Sequence, residues 1–118
     1  MSDRPQFSVE IEHRSDRRAL VVVCGELDLY TAPQLHEAID AAIDESARHL
    51  LVDLCEVTFI DSTALGVLVG ATKRLHPRDG ALAIVCPREK IRRVFQITGL
   101  DQVLAMHASR DEALSAAP

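Results

Sequence analysis

Aromatic residues are nearly missing from this chain of 118 residues: they make up 3 %, and tryptophan is absent. A base-stacking surface of the kind that holds single-stranded nucleic acid is therefore hard to assemble. Positive charge is also in deficit. The formal net charge is −5 at pH 7, which opposes any partner recognised through its phosphate backbone. No nucleic acid is expected as a partner. Long hydrophobic runs are missing too, since none approaches the roughly 20 residues that span a bilayer. Met1 to Gln6 carry charge with no hydrophobic segment behind them, so no secretory signal is visible and no membrane partner is expected. Cysteine is scarce and odd in number, at three, which fits reduced thiols and a cytoplasmic location.

What the chain does have is aliphatic residues, in a composition that is 47 % hydrophobic. That is enough for one core, and the length leaves too few residues for a second, so residues 1–118 are expected to form a single domain with its core from about 7 to 107. Phe7 to Glu12 alternate apolar and polar, the period of a half-buried strand. After the polar turn Arg14 to Arg17, the run from Ala19 to Cys24 suits a strand buried on both faces, so the two strands read as an antiparallel hairpin.

Gly25 to Tyr30 breaks the pattern and reads as a loop. Thr31 is placed to cap a helix with Pro33 in its first turn and Leu35, Ala38, Ile39, Ala42 and Ile43 along one stripe. Leu50 to Leu54 is a further strand, followed by an expected loop from Cys55 to Ile60 and a second helix from Asp61 or Ser62 to about Leu75. Ala81 to Cys86 is the next strand. A third helix opened by Pro87, with Ile91, Val94, Phe95 and Thr98 on its apolar face, ends at Gly99. Val103 to Met106 reads as an edge strand and Arg110 to Ala116 as a last short helix. The order ββαβαβαβα implies an α/β domain with a mixed central sheet, its crossovers right-handed and joining parallel strands.

In open α/β sheets, sites gather outside the carboxyl ends of the parallel strands. Three loops are expected at that rim: Gly25 to Tyr30, Cys55 to Ser62, and Pro87-Arg88, carrying Glu26, Asp28, Glu56, Thr58, Asp61, Ser62 and Arg88. Asp61 or Ser62 can cap the second helix by accepting a backbone N–H. A hydroxyl free at a helix N-terminus is instead a good phosphate acceptor, because the dipole and open N–H groups stabilise the added charge. The two readings are compatible if Asp61 caps and Ser62 is free.

At helical angles Leu65, Leu68, Val69, Thr72 and Leu75 face the sheet, and Thr63, Gly66, Val67, Gly70 and Arg74 face away. A glycine inside an exposed helix costs about 1 kcal/mol relative to alanine, so two on one face need a reason. Close approach of a partner is one reason; accommodation of a neighbouring loop is the other.

Other constellations are weaker. His13, His36, His49, His76 and His107 are scattered and read as surface residues, and Ser62 lacks a Gly-x-Ser-x-Gly elbow and a positioned base, so no catalytic residue and no enzyme is expected. No glycine-rich loop leads into Lys-Ser or Lys-Thr, and no cofactor is implied. Cys24, Cys55 and Cys86 each fall near a strand end, but their spacing matches no zinc pattern, so no metal is expected and they read as small hydrophobes. The basic run Arg88 to Arg93 reads as a solvated helix face.

Gly25-Glu26-Leu27-Asp28 followed by Thr31-Ala32-Pro33-Gln34-Leu35 resembles the first loop and helix start of STAS domains, specifically of bacterial anti-sigma factor antagonists. Phe59-Ile60-Asp61-Ser62-Thr63-Ala64-Leu65-Gly66-Val67-Leu68 is similar to their central signature, and Val94 to Leu100 to the close of their third helix. Ala64 stands where many members have glycine. The resemblance implies that an ATP-bound anti-sigma factor serine kinase phosphorylates Ser62, that only the unmodified form binds the kinase and frees a sigma factor, and that a serine phosphatase resets the cycle, as in stress-response regulation. Thr63 offers a second hydroxyl. Asp28, Asp61, Ser62, Thr63, Gly66, Val67 and Gly70 would then form the docking surface. The alternative is a STAS subunit with a structural binding role in a stress-sensing or lipid-transport assembly.

Overall fold

A computed structural model describes residues 6–116. The strands are β1 (Ser8–Arg14), β2 (Arg18–Leu27), β3 (His49–Ile60), β4 (Ala81–Val85) and β5 (Ala105–His107). The helices are α1 (Ala32–Asp44), α2 (Ser62–Leu75), α3 (Glu89–Ile97) and α4 (Arg110–Ala116). The five strands form one sheet in the order β1-β2-β3-β4-β5, antiparallel between β1 and β2 and parallel from β2 onward. The expected α/β architecture and element order are those observed. Val103 is the exception near the end: a short 3-10 turn at Leu100–Gln102 precedes it, and β5 begins only at Ala105.

Strand period explains the two faces of the sheet. Val21, Val52 and Ile84 point to one side and share a buried cluster with Leu35 and Ile39 of α1, Leu68 of α2, and Ile91 and Phe95 of α3. Their neighbours in register, Leu20, Leu51, Ala83 and Ala105, must point to the other side, which carries α4. On α2 the buried residues are Ala64, Leu65, Leu68, Ala71 and Leu75. The face is thus rotated from the expected one: Ala64 and Ala71 are core, whereas Val69 and Thr72 are half-buried. In α3 the core positions are Ile91 and Phe95, with Val94 half-buried and Thr98 exposed past the helix end, its hydroxyl donating to Val94 O at 2.8 Å. The helix starts at Glu89, with Arg88 rather than Pro87 at its cap position.

Two expected loops are strand instead. Gly25 to Leu27 continues β2 and Cys55 to Ile60 continues β3, pairing Gly25 with Val57, Glu26 with Phe59 and Leu27 with Ile60. The ladder survives the broken alternation through register shifts between Val22 and Cys24 and between Gly25 and Glu26. Such bulges let an extra residue sit unpaired and restore the buried face beyond it, so Leu27, Val57 and Ile60 are all buried. Gly25, at φ +97°, lies in the left-handed region, and an added Cβ there would come 3.0 Å from the Phe7 Cα. Since β4 pairs with β3 only as far as Asp53, the last part of the β2–β3 ladder projects past the rest of the sheet.

Candidate functional site

The projecting ladder ends in two loops held side by side. Past the pair Leu27 and Ile60, the Asp61 N–H donates to the Leu27 carbonyl at 3.1 Å. Asp61 is the N-cap of α2: its backbone is extended, and its carboxylate accepts from the Ala64 N–H at 3.1 Å. The choice between Asp61 and Ser62 as cap is therefore decided for Asp61. Ser62 is the first residue of the helix, exposed, and its hydroxyl has no hydrogen-bond partner among the described residues.

Across the gap, Asp28 organises the entry to α1. Its Oδ1 accepts from the N–H groups of Tyr30 at 2.9 Å and Thr31 at 3.1 Å, and its carbonyl accepts from the Ala32 N–H at 2.8 Å. Thr31 occupies the cap position, but its hydroxyl does not cap the helix. It accepts from the Asp28 N–H at 2.9 Å and donates to the Glu26 carbonyl at 2.8 Å. The expected Thr31 cap is replaced by an Asx turn, whose consequence is to push Leu29 and Tyr30 outward. They are 60 % and 84 % exposed, unusual for large apolar side chains.

Leu29, Pro33, His36, Thr63 and Val67 line a shallow groove where α1 meets α2. Arg74 of α2, expected on the outer face, closes the far end by pairing with Asp40 of α1. Gly66 is exposed and Gly70 half-buried, and an added Cβ at either would meet no atom within 4 Å. Neither glycine is required by a neighbouring loop, which removes the structural reading of the pair. Ser62, Thr63, Gly66, Val67 and Gly70 thus follow one helix from the Asp28 loop along the groove. Leu29 and Tyr30 were not singled out from sequence; the signal was two apolar residues inside a segment otherwise read as a polar loop.

The third expected rim segment does not join them. Arg88 donates through Nε to the Cys55 carbonyl at 3.0 Å and sits 3.8 Å from the Glu56 carboxylate. Cys55 lies five strand positions before Ile60, about 17 Å at the usual rise, so Arg88 and Glu56 belong to the base of the projection and Ser62 to its tip. Cys24 and Cys55 lie within strands rather than at their ends, and the three thiols are free. Burial pushes the Cys55 thiol up to about 11, with the Asp53 carboxylate adding to the effect. Burial likewise raises Cys86. Asp53 itself is buried, which by itself would raise it. Hydrogen bonds from the thiol and the N–H of Cys55 and from Arg110 outweigh that and hold it below the usual carboxylate value.

Among the described residues no helix is long and apolar enough to cross a membrane, and no cluster of three or more metal-ligating side chains occurs. The STAS domain family matches residues 8–113. The chain is 39 % identical over 98 residues to an anti-sigma-B factor antagonist of Listeria monocytogenes, covering 83 % of this chain and 86 % of that one. Its fold is similar to the crystal structure of an anti-sigma factor antagonist from Mycobacterium paratuberculosis, with a TM-score of 0.85, 32 % identity, and 94 % and 93 % of the two chains covered. It is also similar to the Bacillus cell fate determinant SpoIIAA in the phosphorylated form, with a TM-score of 0.71, 25 % identity, and coverage of 92 % and 97 %.

Proposed function

Because the chain belongs to the STAS domain family, we propose that it is an anti-sigma factor antagonist, a binding protein that frees a sigma factor by engaging its anti-sigma factor, with phosphorylation of Ser62 as the off-switch. One observation carries the reading. Asp61 takes the capping role, so the Ser62 hydroxyl stands exposed and uncommitted at the first turn of α2. A phosphate there adds about −1.5 to −2 charges next to open helix N–H groups, a position the fold tolerates.

The cost falls on the partner. Leu29, Tyr30, Val67 and the open backbone at Gly66 and Gly70 offer an apolar surface that a helix or loop can approach closely. A doubly charged group at its edge repels an acidic partner and must be desolvated when the interface closes. The partner is an ATP-bound anti-sigma factor serine kinase, which both docks on this surface and modifies it, and a serine phosphatase restores the hydroxyl. Thr63, also exposed and one position on, is the second acceptor.

The test is capture from native lysate by the wild type, Ser62→Ala and Ser62→Glu, read by mass spectrometry. A serine kinase with an ATP site is expected with the first two and reduced at least tenfold with the third. Equal recovery of scaffold or transporter subunits by all three would overturn the switch and favour a structural subunit.

A further inference from the structure

α4 lies over the second face of the sheet, against β4 and β5, yet little of it is packed there. Ala113 is its single buried residue, and Leu114 remains 49 % exposed. A cavity of about 390 Å³ lies between helix and strands, lined by Leu20, Leu51 and Ala83 on one side and by Ala113 and Leu114 on the other. One buried alanine removes less apolar surface from water than a leucine or isoleucine would, so hydrophobic contact holds α4 weakly.

The hydrogen bonds of the segment are mostly turned in on itself. Ser109 Oγ accepts from the Glu112 N–H at 3.1 Å, and the Glu112 carboxylate accepts from the Ala108 N–H at 3.2 Å. The Ser109 carbonyl accepts from the Ala113 N–H at 3.1 Å. This reciprocal pattern, close to a capping box, shapes the first turn without tying it to the sheet. Among the described residues one side-chain bond joins α4 to another element: Arg110 Nε donates to the Asp53 carboxylate.

The two ends of that bond differ. The Asp53 side chain is 4 % exposed and that of Arg110 is 44 % exposed. A carboxylate so buried needs a partner, whereas a half-exposed guanidinium is readily solvated when released. Arg110 is also the first residue of α4, so the bond holds the helix by one end. Seven residues are too few for a helix to persist unsupported, so undocking also unfolds it.

We propose that α4 is a strap that opens as one unit from an otherwise folded domain, with the bond from Arg110 to Asp53 as its clasp. Opening uncovers Asp53 and the apolar second face at Leu51 and Ala83, and leaves the core around Val52 and Ile84 intact. The strap does not depend on the role proposed above for Ser62.

The experiment is amide hydrogen exchange of the full chain, followed by NMR at increasing urea below the unfolding midpoint. The Ala113, Leu114 and Ser115 amides are expected to share one opening free energy with almost no urea dependence. Val52 and Ile84 should exchange only with the steep urea slope of global unfolding. Arg110→Gln and Asp53→Asn are each expected to speed the α4 amides about tenfold or more, the double variant being no faster than the faster single one. Arg110→Lys, which keeps the charge, should recover part of the protection. A steep slope retained at Val52 shows that each variant is folded. Exchange graded inward from Ser115 and unmoved by either substitution would overturn the strap, since that is end fraying. So would α4 amides with the urea slope of Val52, because the helix would then open only with the whole domain.

Discussion

The Asp61 N–H donates to the Leu27 carbonyl at 3.1 Å, and this bond sets the start of α2 beside the turn that carries Asp28. The carboxylate of the same residue caps the helix at Ala64. Asp61 is thus a positioning residue for Ser62, which it relieves of the capping task.

Removing that cap has a defined cost. Asp61→Ala is expected to destabilise the domain by about 1 kcal/mol, lowering the melting temperature by roughly 3–6 °C. Asp61→Asn, which retains a side-chain oxygen acceptor, should lose less than half as much. Thermal unfolding followed by circular dichroism reads both.

Gly66→Ala and Gly70→Ala are expected to move stability and binding in opposite directions. Neither added methyl meets an atom of this chain, so each should stabilise the domain by up to about 1 kcal/mol through helix propensity and a less flexible unfolded chain. If the surface docks a partner closely, the same methyls should weaken capture. A variant that melts higher and still captures its partner fully would dissociate the glycines from docking.

Asp53 links stability to acid. Its native carboxyl lies below the ordinary value of 3.8, so the ionised form favours the fold. That contribution is complete above the unfolded value of about 3.9 and is lost as pH falls through the lower native value. Asp53→Asn should cost about 1–3 kcal/mol at pH 7, and its deficit against the wild type should shrink below about pH 4. Urea unfolding at pH 7, 4 and 3 measures the difference.

The thiols should be sluggish. With the Cys55 thiol at about 11, only about a thousandth is thiolate at pH 8, so its alkylation by iodoacetamide should run on the order of a hundredfold slower than that of free cysteine. Peptide mass spectrometry of a timed reaction gives the rate, and fast labelling of native Cys55 would contradict its surroundings.

Much of this was legible in the residues themselves. Alternation in β1, the β-branched run in β2, the continuous apolar run in β4, and the Asp-Ser pair before an apolar helix each carry a local signal, and the element order follows from them. The ends of β2 and β3 did not show. β2 keeps its inward alternation at Val21, Val23, Gly25 and Leu27, but glycine and glutamate are poor strand formers and hide it, whereas Cys55 to Ile60 break the period because bulges in β3 shift the register, and a bulge is fixed by the partner strand rather than by local preference. The rotation of α2 was missed because Ala64 and Ala71 are weakly apolar, while tertiary contact, not hydrophobicity, decides which small residues face inward. Leu29 and Tyr30 escaped for a related reason: the Asx turn that ejects them depends on the Asp28 carboxylate meeting two N–H groups, a matter of geometry.

β3 is gripped along its first half and held on one side only along its second. The changeover coincides with two arginine contacts, Arg110 on Asp53 and Arg88 on the Cys55 carbonyl. The strand is in effect a cantilever clamped at that point, with Ser62 just past its free end. Compliance there multiplies along the projecting length, so the aim of Ser62 is set by side chains that never touch it.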